Sequence, residues 1–384
     1  MAVTVLASPT SPNVTGTKLV YSISSSLATN PQYQYVVDVK ESGSATLLTR
    51  LYAYPNEFST GIVEVSRILA DRLEYDNDWK TTGATVSDEG FKEFTLHFSE
   101  SYGTSLSSSI TLYAGGASDT IEVFQGTVDP NQGSFNFIPS SSFQLLSNQT
   151  EGYVATGNHV TVPVYVPPFS VVGTKELRVE FVSASGDILQ ASDLLSTGAD
   201  TEIYQQAIGS GSTTFNSVFE TQDWEQIKVY DSGSATPLTT FNRVRPCSDG
   251  QVTFTFINKL GYYDYYSIPN PVRKATSVER NIFDKPNVDY SSATSIYDIT
   301  RRGEKQYNTG YSDNYEVTTE YVNKATADWL TELFDSPEVY VQENGDIIPV
   351  IISNTQYDWN MNENRQKLFQ YTIQYRYANK RYDR

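Results

Sequence analysis

Short runs of β-branched and aromatic residues that alternate with polar residues recur along most of the chain. Phe94, Leu96 and Phe98 fall on one face of an extended segment, whereas Thr95 and His97 fall on the other, as a sheet with one buried side requires. Ser, Gly, Asn and Asp turns separate the runs, which is typical of sandwiches and barrels. The pattern predicts an all-β fold of two or three β-sandwich or barrel domains with small helical insertions. The clearest runs are Tyr33–Val39, Phe91–Phe98, Ser109–Tyr113, His159–Val166, Glu176–Val182, Gln251–Ile257 and Leu368–Tyr377.

Two segments instead have the spacing of amphipathic helices, Ile62–Tyr75 and Asn323–Asp335. Asn323 or Thr326 is a good N-cap for the second helix, and Ser336-Pro337 ends it. The apolar stripes consist of Val65, Ile68, Leu69 and Leu73 in the first helix, and of Trp329, Leu330, Leu333 and Phe334 in the second.

One stretch of sequence occurs twice. Val39–Thr49 and Val229–Thr239 lie 190 residues apart and share an apolar strand end, an acidic residue and the turn sequence Ser-Gly-Ser-Ala-Thr. One interpretation is the same hairpin built twice, because Gly supplies the positive φ of a tight turn. The other is coincidence in a chain rich in Ser, Gly and Thr.

A length of 384 residues suggests two or three domains. We place an N-terminal β-sandwich with an inserted helix at residues 1–126, a second sandwich at 127–250, and a Tyr-rich β domain with one helix at 251–384. Pro163–Gly173 contains a Pro-Pro step that suits an edge strand or linker. Gly198–Ser217 is polar and rich in Gly, Ser and Thr, which predicts a long surface loop.

Charge and composition exclude several classes of function. A net charge of −18 disfavours nucleic-acid and anionic-membrane binders, which need positive charge to release counterions. One Cys excludes a disulfide framework and a multi-cysteine metal cluster, and two His leave little room for a histidine-based metal site, so we expect no metal and no cofactor. No apolar run is long enough for a membrane-spanning helix. The start of the chain has no signal-peptide pattern, so we expect synthesis in a reducing cytoplasm.

Two pairs of carboxylates bear on hydrolysis. Asp76 and Asp78 stand beside Trp79, and Asp284 and Asp289 bracket a turn. A glycosidase needs two carboxyls about 5–10 Å apart, one of them in an apolar cleft. Neither pair lies in an apolar run, so solvated turns are the better interpretation and we expect no enzymatic activity.

Basic residues are sparse but occur in pairs, such as Arg301-Arg302. Residues 1–271 carry a net charge of −15 and residues 272–384 a net charge of −3. The basic pairs therefore suit an acidic partner, including the N-terminal part of a neighbouring copy. Tyrosines also concentrate late in the chain, 16 of 28 after Gly261, which is a composition found at protein–protein interfaces and in strands alike.

Several segments together resemble virion structural proteins of tailed bacteriophages, notably of crAss-like and related phages of Bacteroidota. They span nearly the whole chain in the family's order, although each motif is short. Tyr265-Tyr266 departs from the Tyr-Phe that is more usual in the family, and the acidic stretch after the first helix is longer. The segments are Gln34–Val39, Leu51–Asn56, Gly61–Leu69, Phe98–Gly103, Phe256–Tyr266, Trp329–Tyr340, Ile348–Val350 and Tyr371–Ala378.

The resemblance implies a non-enzymatic virion component of the tail or baseplate. It implies assembly in the host cytoplasm from copies of this chain and other phage structural proteins. We predict partner contacts at Tyr262, Arg301, Arg302 and Trp329, and unpaired strand edges at Ser109–Tyr113 and Leu368–Tyr377 that a neighbouring subunit covers.

Two other functions remain open on the sequence. A carbohydrate-binding adhesin of the phage tail would stack a host surface glycan on Trp79, Trp224 or Trp359. A glycan-degrading tail enzyme would use Asp76 and Asp78.

Overall fold

A computed structural model describes most of the chain. The described residues are 3–75, 80–87, 89–113, 116–127, 143–149, 151–166, 176–194, 202–231, 234–245, 251–285, 288–289, 293, 296–297, 303–343, 345–354 and 368–379. They divide into two compact units. Unit 1 comprises Met1–Arg243 with Phe256–Tyr265, and unit 2 comprises Val244–Thr255 with Tyr266–Arg384. The three domain limits given above stay a prediction.

Strands make up 53% of the structure and helices 8%, which confirms the predicted all-β fold class. The three helices of the described residues are α1 (Ser66–Ala70), α2 (Asn216–Thr221) and α3 (Lys324–Asp335). The described strands are, in chain order, β1 (Thr4–Ala7), β2 (Asn13–Val14), β3 (Val20–Ser24), β4 (Gln34–Glu41), β5 (Leu47–Ala53), β6 (Thr60–Glu64), β7 (Ala84–Val86), β8 (Phe91–Tyr102), β9 (Thr111–Tyr113), β10 (Ser118–Phe124), β11 (Gln144–Leu145), β12 (Glu151–Val154), β13 (Thr161–Val166), β14 (Leu177–Ser183), β15 (Ile188–Leu194), β16 (Glu202–Ala207), β17 (Trp224–Asp231), β18 (Thr239–Arg243), β19 (Val252–Ile257), β20 (Tyr263–Ile268), β21 (Arg273–Asp284), β22 (Val288–Asp289), β23 (Ile296–Tyr297), β24 (Glu304–Thr318), β25 (Val339–Glu343), β26 (Asp346–Ile352) and β27 (Thr372–Tyr377).

Unit 1 begins with two sheets that enclose one apolar core. The first has the order β1-β3-β6, and the second has the order β2-β10-β8-β4-β5, with β9 also paired to β8. The alternation on β8 is as predicted, because Phe94, Leu96 and Phe98 are buried and His97 is exposed. Tyr21 of the first sheet lies 5.4 Å from Phe98 of the second, between ring centroids. This part of the chain is therefore a β-sandwich.

A four-stranded sheet of unit 1, β11-β13-β16-β7, corrects two predictions. Pro163 lies within β13, which pairs with β11 and β16, so this part of Pro163–Gly173 is an interior strand and not an edge or linker. The strand buries all six of its residues, and this burial outweighs the missing proline donor. The predicted loop Gly198–Ser217 contains β16, because Ile203 and Ala207 bury side chains among polar neighbours.

Unit 1 also contains the run β15-β14-β17-β18-β12, and unit 2 contains the run β25-β26-β27-β24-β21. Strand β27 pairs with β26 on one side and with β24 on the other. The prediction of an unpaired edge at Leu368–Tyr377 is therefore wrong. The alternating burial of Ile373 and Tyr375 is compatible with either position, so the sequence pattern did not distinguish them.

The two predicted helices had different outcomes. Asn323 caps α3 by accepting a hydrogen bond from the Thr326 backbone N–H at 2.9 Å, which confirms the second helix. The first is wrong over its N-terminal part, because Ile62 and Val63 belong to β6 and pair with β3. Gly61 and Val63 are buried while Ile62 is exposed, so the local period is 2 and only the five residues of α1 are helical.

The repeated sequence forms the same hairpin twice, as β4–β5 and as β17–β18. Both turns are closed by a hydrogen bond from the backbone N–H of a serine to the carbonyl of the preceding acidic residue, Ser44 to Glu41 at 3.0 Å and Ser234 to Asp231 at 2.9 Å. The strand register is also the same. The matching pairs are Val39 with Thr49 and Val229 with Thr239, Val37 with Leu51 and Ile227 with Phe241, and Val36 with Tyr52 and Gln226 with Asn242.

Candidate assembly surfaces

A long two-stranded ribbon extends from the sheet of unit 2. Twelve register pairs join β21 to β24, from Arg273 with Glu316 to Asp284 with Glu304. Strand β24 pairs with β27 only through Tyr315–Thr318. Within the described residues, the rest of the ribbon has no third strand. We call this part, Lys274–Asp284 with Glu304–Asn314, the arm.

The base of the arm is fixed by polar contacts. The Lys274 ammonium lies 2.9 Å from a carboxylate oxygen of Asp313, and the Thr276 hydroxyl donates to the same residue at 2.6 Å. The Lys274 nitrogen also lies 5.3 Å from the centroid of the Tyr315 ring. The hydrogen bond to Asp313 raises the pKa of Lys274, so the ammonium stays charged through the neutral range.

Beyond these contacts, the arm exposes large apolar side chains to solvent. They are Ile282, Phe283, Tyr307 and Tyr311, and Tyr307 is 65% exposed. The Phe283 and Tyr307 rings contact each other across the two strands, with centroids 6.1 Å apart. A two-stranded ribbon is marginally stable by itself in water, and exposed apolar patches mark interaction sites. The arm is therefore a surface that another protein surface would stabilise.

Of the four residues predicted to contact partners, two are buried within a single chain. Tyr262 is 1% exposed and packs in a cluster with Phe124, Tyr165 and Leu260. Trp329 on α3 is 3% exposed, and its ring lies edge-on to Tyr266 at 5.9 Å. In the single chain both side chains are core residues. Arg301 and Arg302 lie outside the described residues.

The segment around Tyr262 owes its sequence to a tight turn. The Asn258 side chain accepts from the backbone N–H groups of Leu260 and Tyr262 and donates to the Leu146 carbonyl at 2.9 Å. Gly261 has a φ of +87°, and a Cβ there would lie 1.6 Å from the Gln125 carbonyl oxygen. The Asn-Lys-Leu-Gly sequence is thus explained by backbone geometry.

The residues proposed for sugar binding and hydrolysis are less favourably placed. Trp224 is fully buried, stacks on Phe219 and donates its indole N–H to the Phe219 carbonyl at 3.0 Å, so it has no face for a sugar. Asp284 is exposed on the arm. Trp79, Trp359, Asp76 and Asp78 lie outside the described residues.

Sequence reasoning missed the arm. A usable signal was present, since Tyr311 and Tyr315 are four residues apart and such residues share one face of a strand.

Among the described side chains, no group of three His, Cys, Asp or Glu converges in a way that would hold a metal ion. None of the helices in the described part of the chain combines the length and apolarity needed to cross a membrane.

Comparison with known proteins identifies no family for this chain. No protein-family model matches the chain, and no curated protein matches it. Among solved structures it is similar to trypsin-activated alpha-2-macroglobulin from Escherichia coli, at 9% sequence identity and a TM-score of 0.20. The match covers 83% of this chain but spans only 22% of that protein.

Proposed function

We propose that the chain is a non-enzymatic structural component of a bacteriophage virion, in the tail or baseplate, where it works as an oligomer. Its partners are copies of itself and other phage structural proteins, and assembly takes place in the host cytoplasm. The resemblance of the ordered sequence segments to phage virion proteins supports the class of protein.

The observation that carries the proposal is the arm. Its base is held by the Lys274–Asp313 ion pair, while the rest of the arm displays four large apolar side chains on a ribbon that is marginally stable without a covering surface. Such a projection is suited to lie on a neighbouring subunit. The chain's charge of −18 keeps free copies soluble until a specific contact forms.

The test is the assembled mass of the purified full chain, measured by light scattering on a sizing column with negative-stain images of the same peak. We expect a discrete multimer. An arm variant should fold, with the circular dichroism of the wild type, but elute as a monomer. That variant carries Ile282→Ser, Phe283→Ser, Tyr307→Ser and Tyr311→Ser.

A matched control removes four exposed apolar side chains elsewhere, through Phe58→Ser, Leu106→Ser, Ile188→Ser and Tyr321→Ser. It should assemble like the wild type. A wild type that stays monomeric at every concentration, or an arm variant that still assembles, would contradict the proposal. Glycan-array binding by a monomer would favour the adhesin, and turnover of a polysaccharide would contradict the non-enzymatic role.

A further inference from the structure

One side of the six-stranded sheet ends at β5. Within the described residues no strand pairs with the outer side of Leu47–Ala53, which we call the β5 edge. Tyr52 is 57% exposed, and Leu47 and Tyr54 are exposed as well. Leu51 and Ala53 pack against the core of the sandwich but remain only half-buried.

The backbone of the β5 edge presents unpaired groups at known positions. The Ser42 backbone N–H donates to the Glu93 carbonyl at 2.8 Å, so Ser42 bonds to the β8 side. Every second residue of β4, counted back from Ser42, bonds to β8 in the same way, and the residues between them bond to β5. Since antiparallel ladders alternate, Thr49, Leu51 and Ala53 bond to β4. The N–H and C=O groups of Arg50 and Tyr52 therefore point outward.

The second hairpin shows what covers the equivalent edge. There, β12 pairs in parallel with β18, placing Glu151 opposite Thr240 and Tyr153 opposite Asn242. Thr240 and Asn242 are the residues 190 positions after Arg50 and Tyr52. Asn242 also donates from its side chain to Glu151 at 2.6 Å. The backbone groups that point outward in the first hairpin are thus used by a parallel strand in the second.

Burial differs between the hairpins as this covering requires. Thr239 and Phe241 are buried, whereas Thr49 and Leu51 at the same positions are half-buried. Gly152 of β12 fits against Phe241, since a Cβ on it would lie 2.4 Å from a ring carbon. A covering strand needs a small residue at this point.

The β5 edge has few of the features that prevent strand addition. Natural edges carry Lys, Pro, inward-pointing charges or β-bulges; β5 contains none of the first three, and the irregularity in its pairing with β4 lies at its start, between Val39 and Lys40 of β4. Its one charged side chain, Arg50, is neutralised by a two-point contact with Asp38, with nitrogen–oxygen distances of 2.6 and 2.8 Å. The edge therefore offers both the backbone groups and the apolar surface for strand addition.

From these observations we propose that the β5 edge binds an extended segment of another polypeptide as an added strand. The segment runs parallel to β5, places a small residue opposite Leu51 and aligns its backbone with Arg50 and Tyr52. It has the chemistry of β12: an acidic residue, a small residue, an aromatic residue and a β-branched residue in that order. This site does not include the arm, and the proposal that it binds a strand does not depend on the proposed virion role.

The test uses a synthetic peptide with residues 149–156 of this chain, Gln-Thr-Glu-Gly-Tyr-Val-Ala-Thr, added to the full-length protein. We expect saturable binding with a Kd between about 10 μM and 1 mM, a range set by a short peptide without preorganisation. Amide exchange at Arg50 and Tyr52 should slow by about tenfold or more at saturation. A scrambled peptide of the same composition should do neither.

The variant Tyr52→Pro removes an outward N–H without removing a bond to β4, so it should fold and lose at least about tenfold in peptide affinity. Ile188→Pro, on the edge strand β15, is the matched control and should bind like the wild type. If Tyr52→Pro does not fold, the exchange measurement on the wild type decides alone. No saturable binding by the wild type would overturn the proposal. Self-association of the chain through β5 that the peptide does not displace would also overturn it, since a second copy would then be the occupant.

Discussion

The hairpins β4–β5 and β17–β18 have the same turn-closing hydrogen bond and the same strand register, but different neighbours on their outer strands. Strand β18 is covered by β12, whereas β5 ends its sheet within the described part of the chain. Local sequence therefore determines the hairpin, while the rest of the chain determines whether its outer edge is interior structure or a binding surface. Four pairs of matched substitutions, ordered from the largest expected effect to the smallest, break or sharpen this comparison.

The two hairpins differ most in the burial of the first residue of their first strands, β4 and β17. Trp224 is buried against Phe219, while Gln34 holds the matching position of β4 and is only half-buried. Trp224→Gln should lower the free energy of unfolding by about 3–5 kcal/mol, because it leaves a cavity beside Phe219. Gln34→Ala should cost less than about 0.5 kcal/mol. Urea denaturation followed by circular dichroism measures both, and equal losses would show that the two strands do not differ in their packing.

Proline at the outer strands separates a covered edge from a free one. Asn242→Pro removes a backbone donor used by β12 and the side-chain bond to Glu151, so it should cost about 3 kcal/mol. Tyr52→Pro removes an N–H that points to solvent and should cost less than about 1 kcal/mol. The same denaturation measurement applies. A loss for Tyr52→Pro as large as for Asn242→Pro would mean that the β5 edge is already paired.

Exchanging the side chains at the covered and uncovered core positions gives a smaller effect. Phe241→Leu should cost about 1 kcal/mol, because the space against Gly152 is left partly empty. Leu51→Phe should change the free energy of unfolding by less than about 0.5 kcal/mol, since the added volume can extend past the free edge. Thermal melts of the two single variants and of their double combination measure this. A reversed order would mean that Leu51 is the more tightly packed residue.

The smallest expected effect is electrostatic and depends on pH. The Arg50 guanidinium lowers the pKa of Asp38, whereas the matching pair in the second hairpin is Lys228 and Thr240. Because the folded-state pKa of Asp38 is lowered, its contribution is present above the ordinary aspartate value of about 4 and is lost as the pH falls below it.

Asp38→Asn should therefore cost about 0.5–1 kcal/mol at pH 7, as expected for a partly exposed pair, and nothing at a pH well below 4. Lys228→Ala should show no such pH dependence. Denaturation curves across this pH range measure both, and a loss for Asp38→Asn that persists in acid would show that the ion pair is not its cause.

The sequence correctly predicted those elements whose structure depends only on local patterns. The Asn323 cap and the apolar stripe of α3 agree with each other, and so do the alternating residues of β8. For the repeat, the sequence left a hairpin built twice and coincidence both open, and the structure has the hairpin in both places, since register is a local property.

The sequence failed where distant neighbours decide the outcome. Pro163 argues for an edge, yet β13 is interior because β11 and β16 are recruited from distant parts of the chain. Tyr262 and Trp329 have side chains suited to an interface or a core, and composition alone does not separate the two. The arm was missed for a related reason: the shared face of Tyr311 and Tyr315 indicates a strand, but whether a third strand pairs with it depends on distant parts of the chain, and within the described residues none does.

Amide hydrogen exchange of the free, full-length chain tests the central claim most directly. It compares Arg50 and Tyr52 with Thr240 and Asn242, which are matched pairs of the repeated hairpin. Arg50 and Tyr52 should exchange at rates close to those of unprotected amides, whereas Thr240 and Asn242 should be protected by about a hundredfold or more. Equal protection of the four amides would contradict that claim.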